Sequence, residues 1–227
     1  MKCYSGTIEA YTTGGCGGKS RSLVFIYILV VFFYSFTGIA FAESCTEKVA
    51  SYYKKGQFTD LIKVEGIIAQ CMLDDPNDAE ALYLMGVLSI QKNDYQAALH
   101  YFDEAIGKKQ DYVKALVNRA DLQIFLKKGE AGLADYTKAI SLSPTDPFLL
   151  MRRANVYMSR SKFAEAVADY TAVLELIPDH AEAYHYRALA YVALNQKGNM
   201  CLDFKKLCAL GYCMDLEKAV ARQDCRP

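Results

Sequence analysis

Three consecutive segments decide the fold: residues 79–112 (AEALYLMGVLSIQKNDYQAALHYFDEAIGKKQDY), 113–146 (VKALVNRADLQIFLKKGEAGLADYTKAISLSPTD) and 147–180 (PFLLMRRANVYMSRSKFAEAVADYTAVLELIPDH). Each is 34 residues long, and the three copies align without gaps. Position eight is small in every copy: Gly86, Ala120 and Ala154. Position twenty-four is aromatic in every copy: Phe102, Tyr136 and Tyr170. A fixed period of this length is typical of a solenoid, in which each unit buries its apolar face only against its neighbours.

The spacing of apolar residues within one copy predicts two helices. Leu82 and Gly86 begin one stripe at helical spacing, and Ala98 and Phe102 begin a second. Asn93-Asp94 between the stripes indicates a tight turn. The small residue at position eight marks a close approach of the two helices, where a large side chain would overpack at a cost of roughly 1–3 kcal/mol.

This pattern resembles the tetratricopeptide repeat. The matching features are small residues at positions eight and twenty, aromatic residues at seventeen and twenty-four, Ala or Val at twenty-seven and Pro at thirty-two. The second copy departs from it, because Gly129 replaces the aromatic residue at seventeen, and no copy has Trp at position four. The resemblance implies an all-α fold, a right-handed solenoid of antiparallel helical hairpins with a C-terminal capping helix.

The flanking segments extend this organisation. Residues 44–73 and 184–207 carry weaker copies of the same pattern, and residues 215–222 can form a last, polar helix that covers an apolar end. The predicted divisions are a signal peptide or anchor (1–42), a degenerate first repeat (43–78), repeats 1, 2 and 3 (79–112, 113–146, 147–180), a degenerate repeat 4 (181–211) and a cysteine-bearing cap (212–227).

Residues 1–42 have the features of a secretory signal peptide. Lys19 and Arg21 precede the apolar run 23–36, and Ala40-Phe41-Ala42 closes the segment, so cleavage is expected after Ala42. An uncleaved membrane anchor is the alternative, since about 20 uncharged residues can span a bilayer. The protein is therefore expected to be exported to the periplasm or another extracytoplasmic compartment, or else to be an inner-membrane-anchored assembly subunit.

Charge and motifs argue against several classes of function. Removing residues 1–42 leaves a net charge of −2, which gives no electrostatic reason to expect nucleic acid. None of the three histidines has a nucleophile at a recognisable spacing, and neither a zinc-protease motif nor a paired-carboxylate motif occurs. We expect no catalytic residues, no metal site and no cofactor.

The six cysteines beyond residue 42 lie only in the two terminal parts of the sequence: Cys45, Cys71, Cys201, Cys208, Cys213 and Cys225. An even number in an exported protein predicts disulfides that staple the ends of the solenoid. Free buried thiols are one alternative, and a thiol-dependent redox factor of the cell envelope that uses the C-terminal cysteines is another. Residues 201–225 resemble the cysteine-bearing end of some exported bacterial tetratricopeptide proteins.

Hairpin geometry predicts how these cysteines pair. Cys45 and Cys71 lie at similar distances from the turn of the first hairpin, so they should pair. Seven helical residues place Cys201 and Cys208 about 10 Å apart along the axis, beyond the reach of a disulfide. Two arrangements remain: a nested one, which we prefer (Cys208–Cys213 with Cys201–Cys225), and a crossed one (Cys201–Cys213 with Cys208–Cys225).

Two charged positions vary together. Position seven is Arg and position twenty-three is Asp in three repeats, giving Arg119 with Asp135, Arg153 with Asp169 and Arg187 with Asp203. Repeat 1 lacks both. This predicts a structural pair that bridges the two helices of a repeat, with a basic stripe for an anionic partner as the alternative. As an exposed pair it would contribute about 0–1 kcal/mol.

In tetratricopeptide proteins the first helix of each repeat lines a concave groove, and the resemblance places a partner site there. The mixture of apolar and polar side chains suits an amphipathic helix or an extended peptide. We expect partner contacts from Tyr83, Ile90, Asn118, Phe125, Phe148, Met151, Arg152, Asn155 and His185, centred on Tyr83, Phe125, Phe148 and Met151. Only Asn118 fits the family's carboxylate clamp, so a receptor for the C-terminal carboxylate of another protein is not expected. The predicted function is a non-catalytic scaffold that binds another envelope protein or peptide, touching the membrane only through an uncleaved N-terminal segment.

Overall fold

The computed structural model describes residues 44–54 and 61–226, and every secondary-structure element in them is a helix. The predicted signal peptide or anchor lies outside these residues. In sequence order the helices are α1 (Cys45–Lys54), α2 (Leu61–Asp74), α3 (Ala79–Gln91), α4 (Tyr95–Lys108), α5 (Val113–Phe125), α6 (Gly129–Leu142), α7 (Pro147–Ser159), α8 (Phe163–Leu176), α9 (Ala181–Ala193), α10 (Lys197–Ala209) and α11 (Met214–Ala221). None of the helices in this part of the protein has both the length and the apolarity needed to span a membrane.

Successive helices pack as hairpins, α3 with α4, α5 with α6, α7 with α8 and α9 with α10, and each hairpin packs on the next. Buried apolar clusters lie between consecutive hairpins rather than in one central core. The prediction of an all-α solenoid of helical hairpins is therefore confirmed.

Each hairpin turn uses one residue in the left-handed region. Asn93, Lys127, Ser161 and Asn195 stand at the same position of the four repeats, with φ between 55° and 64°. In repeat 1 the amide of Asp94 donates to the carbonyl of Ser89, and the amide of Asn93 donates to that of Ile90. This is the Schellman motif that satisfies the last carbonyls of a helix.

The first helices of repeats 1, 3 and 4 begin at residues with capping side chains, whereas Tyr112 before α5 makes no side-chain capping hydrogen bond. Asp78 and Asp146 accept from the amides two residues later, at 2.8 and 2.9 Å, and Pro147 occupies the first turn of α7. Helix α9 begins differently, because Nδ1 of His180 accepts from the amide of Ala183 at 3.2 Å.

The close approach predicted at position eight is confirmed. A Cβ atom added to Gly86 would lie 2.5 Å from Cε1 of Phe102, so repeat 1 has room only for glycine there. Ala120 and Ala154 fill the same place in repeats 2 and 3 and are fully buried. The helices of one repeat are thus held at a distance set by these small residues.

The predicted Arg–Asp bridges are also confirmed. Nε and Nη2 of each arginine donate to the two carboxylate oxygens at 2.6–2.9 Å, in the pairs Arg119–Asp135, Arg153–Asp169 and Arg187–Asp203. The expectation of exposed pairs is wrong, because the three aspartates are 7%, 5% and 3% exposed. Their hydrogen bonds raise the pKa of each arginine above its usual value.

The same arginines reach the preceding repeat, which the sequence pattern did not suggest. Nη1 of Arg119 donates to Asp103 at 2.6 Å. In the same way, Nη1 of Arg153 donates to Thr137 at 3.2 Å, and Nη1 of Arg187 donates to Thr171 at 3.0 Å. Each arginine therefore links three helices, two in its own repeat and the second helix of the repeat before it.

The six cysteines beyond residue 42 form three disulfides, one in the N-terminal part of the solenoid and two in the C-terminal part. Cys45 pairs with Cys71 and joins α1 to α2, with the Cα atoms 5.9 Å apart. The C-terminal pairs are Cys201–Cys225 and Cys208–Cys213, which is the nested arrangement. The Cys208–Cys213 pair spans the corner at Gly211, whose φ is +97°.

Helix α11 covers the last hairpin. Its exposed residues include Glu217 and Lys218, as a solenoid end in water requires, although Met214 at its start is also 66% exposed. Two polar contacts and one disulfide fasten it: His185 with Asp215 at 2.9 Å, Lys197 with Asp224 at 2.6 Å, and Cys201–Cys225.

Candidate functional site

The first helices of successive repeats lie side by side and form one continuous face. The side-chain amide of Asn118 on α5 donates to the Tyr83 hydroxyl on α3 at 2.8 Å. Nη1 of Arg152 on α7 lies 2.5 Å from Oδ2 of Asp121 on α5. These pairs join position five to position six and position nine to position six, all within one helical turn of each other, so the first helices run in parallel at similar heights. We call the surface that they form the inner face.

The four residues predicted as the centre of the partner site differ in exposure. Phe125 and Phe148 are 61% and 73% exposed, whereas Met151 is only 8% exposed and belongs to the buried cluster of repeat 3. Tyr83 is half-buried and accepts from Asn118, and burial raises its pKa. Of the four, only Phe125 and Phe148 therefore offer a large exposed surface to a partner, because Met151 is packed within the fold.

The two exposed phenylalanines do not form one centre. Phe125 is the last residue of α5 and Phe148 the second residue of α7. Eleven helical positions separate them in height, or about 16 Å at 1.5 Å per residue. The Phe125 ring lies edge-on to Tyr95, with ring centroids 5.1 Å apart, at the end of the inner face next to the hairpin turns.

Several polar residues of the inner face already have partners within the fold. Asp121 accepts from the Tyr136 hydroxyl, and Asn155 accepts from the Tyr170 hydroxyl at 2.6 Å. Asp121 also holds the guanidinium of Arg152. Asn155 and Arg152 remain exposed, so a partner could still reach them.

Two further predicted residues lie away from any open site. His185 forms a hydrogen bond to Asp215 of the capping helix and packs edge-on against Tyr186, with ring centroids 5.4 Å apart. Ile90 is half-buried and packs against the cluster around Phe102. Both residues stabilise contacts between helices.

A concavity on the inner face lies where repeats 3 and 4 meet. Its volume is about 390 Å³, and we call it the repeat 3–4 pocket. It brings together four of the expected partner contacts with four residues that were not among them: Phe148, Met151, Arg152 and Asn155 with Pro147, Ile177, His180 and Glu182. Glu182 holds the groove position that Phe148 holds one repeat earlier. The other three lie in the loop between α8 and α9 and at the start of α7, outside the groove positions expected from the repeat pattern.

The pocket combines apolar walls with a few polar groups. Phe148 and Ile177 are exposed, while Met151 contributes only the small surface that its burial leaves. Arg152, Asn155 and Glu182 supply a guanidinium, an amide and a carboxylate. Apolar surface with sparse polar groups is the usual composition of a site that binds a ligand or a peptide side chain. In the described residues, no group of three or more His, Cys, Asp and Glu side chains is placed to hold a metal ion.

The fold and the inner face define a helical repeat protein of the kind that presents a groove. Two family models match the sequence, one described as tetratricopeptide repeat over residues 56–113 and 83–147, the other as TPR repeat over residues 154–195. The protein belongs to the tetratricopeptide repeat family.

Solved structures show the same fold at low sequence identity. A crystal structure of MamA has a TM-score of 0.62 at 19% identity, over 73% of this protein and 95% of that one. YrrB, described as a tetratricopeptide protein with an unusual peptide-binding site, has a TM-score of 0.62 at 16% identity, over 78% of this protein and 93% of YrrB. A tetratricopeptide repeat protein from Parabacteroides merdae has a TM-score of 0.60 at 20% identity, over 81% of this protein and 79% of that one. No curated protein matches this one in sequence.

Proposed function

We propose that this protein is a non-catalytic scaffold that binds a peptide or helix of another protein on its inner face, with the repeat 3–4 pocket as the main contact. Proteins of the tetratricopeptide repeat family are interaction scaffolds, and YrrB is described as having a peptide-binding site. The observation that carries the proposal is Phe148, a large aromatic side chain that is 73% exposed beside a concavity. Aromatic residues, phenylalanine included, are enriched in protein–protein interfaces.

The pocket suits one large side chain of a partner together with its backbone. A volume of about 390 Å³ lies near the lower end of the range for ligand sites. The exposed amide of Asn155 and the guanidinium of Arg152 lie in its wall, where they could bind backbone carbonyls and fix the register. Affinity would come from the apolar anchor and register from the polar groups.

We place this activity in the cell envelope. The support is the signal-like segment 1–42 together with three disulfides in the described residues. Disulfides of this kind persist in oxidising compartments. Mass spectrometry of protein isolated from the envelope should show Glu43 as the first residue, and retention of residues 23–42 would instead indicate an anchored form.

Peptide selection on the purified protein tests the proposal. A random peptide library displayed on phage should yield binders whose affinity falls by about 30-fold or more with Phe148→Ala, since truncating an anchor costs about 2 kcal/mol. Ile62→Ala is the matched control, because Ile62 is 80% exposed on α2, away from the pocket. Binders that are unaffected by Phe148→Ala, while both variants keep the wild-type thermal midpoint, would show that the pocket is not the site.

A further inference from the structure

We infer that the repeat 3–4 pocket selects a partner segment in which a lysine or arginine adjoins the apolar anchor. The inference rests on the proposed function and names the chemistry of the partner. It comes from the charges that remain unpaired around the pocket and from the ring of Phe148.

Arg152 and Glu182 are the two charged residues of the pocket lining, and only the arginine has an ion-pair partner within the described residues. The charge of Arg152 is offset by Asp121, whose Oδ2 lies 2.5 Å from Nη1. Nδ1 of His180 accepts the amide N–H of Ala183 at 3.2 Å, so this atom is engaged in capping α9. The exposed carboxylate of Glu182 forms no ion pair among residues 44–54 and 61–226, and exposed Asp179 lies three residues before it. A cation in the partner could therefore pair with Glu182 without displacing a cation of the fold.

Phe148 and Glu182 are placed to act on the same cation. Each is the second residue of its helix, Phe148 on α7 and Glu182 on α9, and both line the pocket. Equivalent positions of neighbouring first helices lie at matching heights, so the ring face and the carboxylate border the same opening. A lysine or arginine within about 6 Å of an aromatic face is attracted to it, and the carboxylate adds a second favourable contact. Met151 and Ile177 would then contact the adjoining apolar residue of the partner.

The junction of repeats 1 and 2 shows that the pairing of an aromatic ring with Glu182 is not repeated at every junction. A depression of about 510 Å³ lies there, at equivalent positions, and its lining includes both acidic and basic residues. There Lys114 stands in place of Glu182, Glu80 in place of Phe148, and Lys109 in place of Ile177. The combination of an exposed ring with an unpaired carboxylate belongs to the repeat 3–4 pocket.

A positional-scanning peptide library tests this preference on the purified full-length protein. We expect enrichment of sequences in which Arg or Lys is next to an aromatic or aliphatic residue. For a selected arginine peptide, fluorescence polarisation should show about five- to tenfold weaker binding with Glu182→Gln and a similar loss with Phe148→Leu. Replacing the arginine of the peptide by glutamine should abolish the effect of Glu182→Gln. Glu175→Gln, which removes an exposed carboxylate outside the pocket lining, should change nothing.

The outcomes separate this inference from the proposed function. Peptides that depend on Phe148 but show no preference for a cation, or prefer Asp and Glu, would overturn the inference and leave the scaffold proposal intact. Absence of any peptide whose binding depends on Phe148 would overturn both. A loss with Glu182→Gln that high salt does not reduce would also count against a charge contact.

Discussion

The residue types at positions nine and twenty-four of each repeat vary together, because the two side chains contact each other in the fold. Tyrosine at twenty-four accompanies a polar residue at nine, and phenylalanine accompanies an apolar one: Tyr136 with Asp121, Tyr170 with Asn155, Phe102 with Val87 and Phe204 with Leu189. Both tyrosine hydroxyls donate to the side chain at position nine, and burial raises their pKa values. A buried hydroxyl needs a partner, so residues assigned to a binding groove also serve the fold.

The hairpin turns give a prediction at this scale. Lys127 has φ +64°, a conformation that costs most L residues about 1–2 kcal/mol but that asparagine tolerates. Lys127→Asn should therefore raise the free energy of unfolding by about 0.5–1 kcal/mol, measured as a higher urea midpoint with an unchanged slope. The reciprocal Asn195→Lys, at the equivalent turn with φ +55°, should lower it. A change of the same sign in both variants would contradict the explanation that the left-handed turn residue decides the free energy of unfolding.

At the scale of the helices, a constant period of 34 residues made the architecture predictable. Position eight identified the close approach, and the shared occurrence of Arg at seven and Asp at twenty-three identified the bridge between helices. Exposure of individual groove residues was harder to predict, because it depends on the neighbouring repeat. Met151 is buried in one cluster with Ala183 of the next first helix, whereas Phe148, three residues earlier, lies at the helix start beyond that contact. The pocket residues on the α8–α9 loop carry no periodic signal at all.

The Arg–Asp bridges give a prediction at the scale of two helices. Asp169→Ala leaves the partly buried guanidinium of Arg153 without its two-oxygen partner, and breaking such a pair costs about 3–5 kcal/mol. Asp103→Ala is the control, because that carboxylate is exposed and shares Arg119 with Asp135; its loss should cost about 1 kcal/mol or less. Urea unfolding measures both. Similar losses would mean that burial does not decide the strength of these bridges.

For the whole molecule, stability should vary along the solenoid, since each repeat contacts only its neighbours. The terminal repeats have a neighbour on one side only, and these are the repeats that carry the disulfides. The central repeats have none in the described residues and depend on packing, to which repeats 2 and 3 add an arginine that links three helices. Arg187 makes the same link from repeat 4 to repeat 3. The covalent links of the described residues are thus confined to the two ends of the solenoid.

Removal of single disulfides tests this division. Replacing both Cys201 and Cys225 by serine opens a loop of 24 residues, whereas replacing Cys208 and Cys213 opens one of five. Loop entropy predicts a loss of about 3.5 kcal/mol in the first case and about 2 in the second. Because Cys225 follows α11, only the first change frees the capping helix. Hydrogen exchange should therefore accelerate in α10 and α11 of the first variant and remain slow in α5 to α8. If the central helices lost as much protection as the cap, the repeats would unfold as one cooperative unit, and the disulfides would stabilise the molecule as a whole rather than its end.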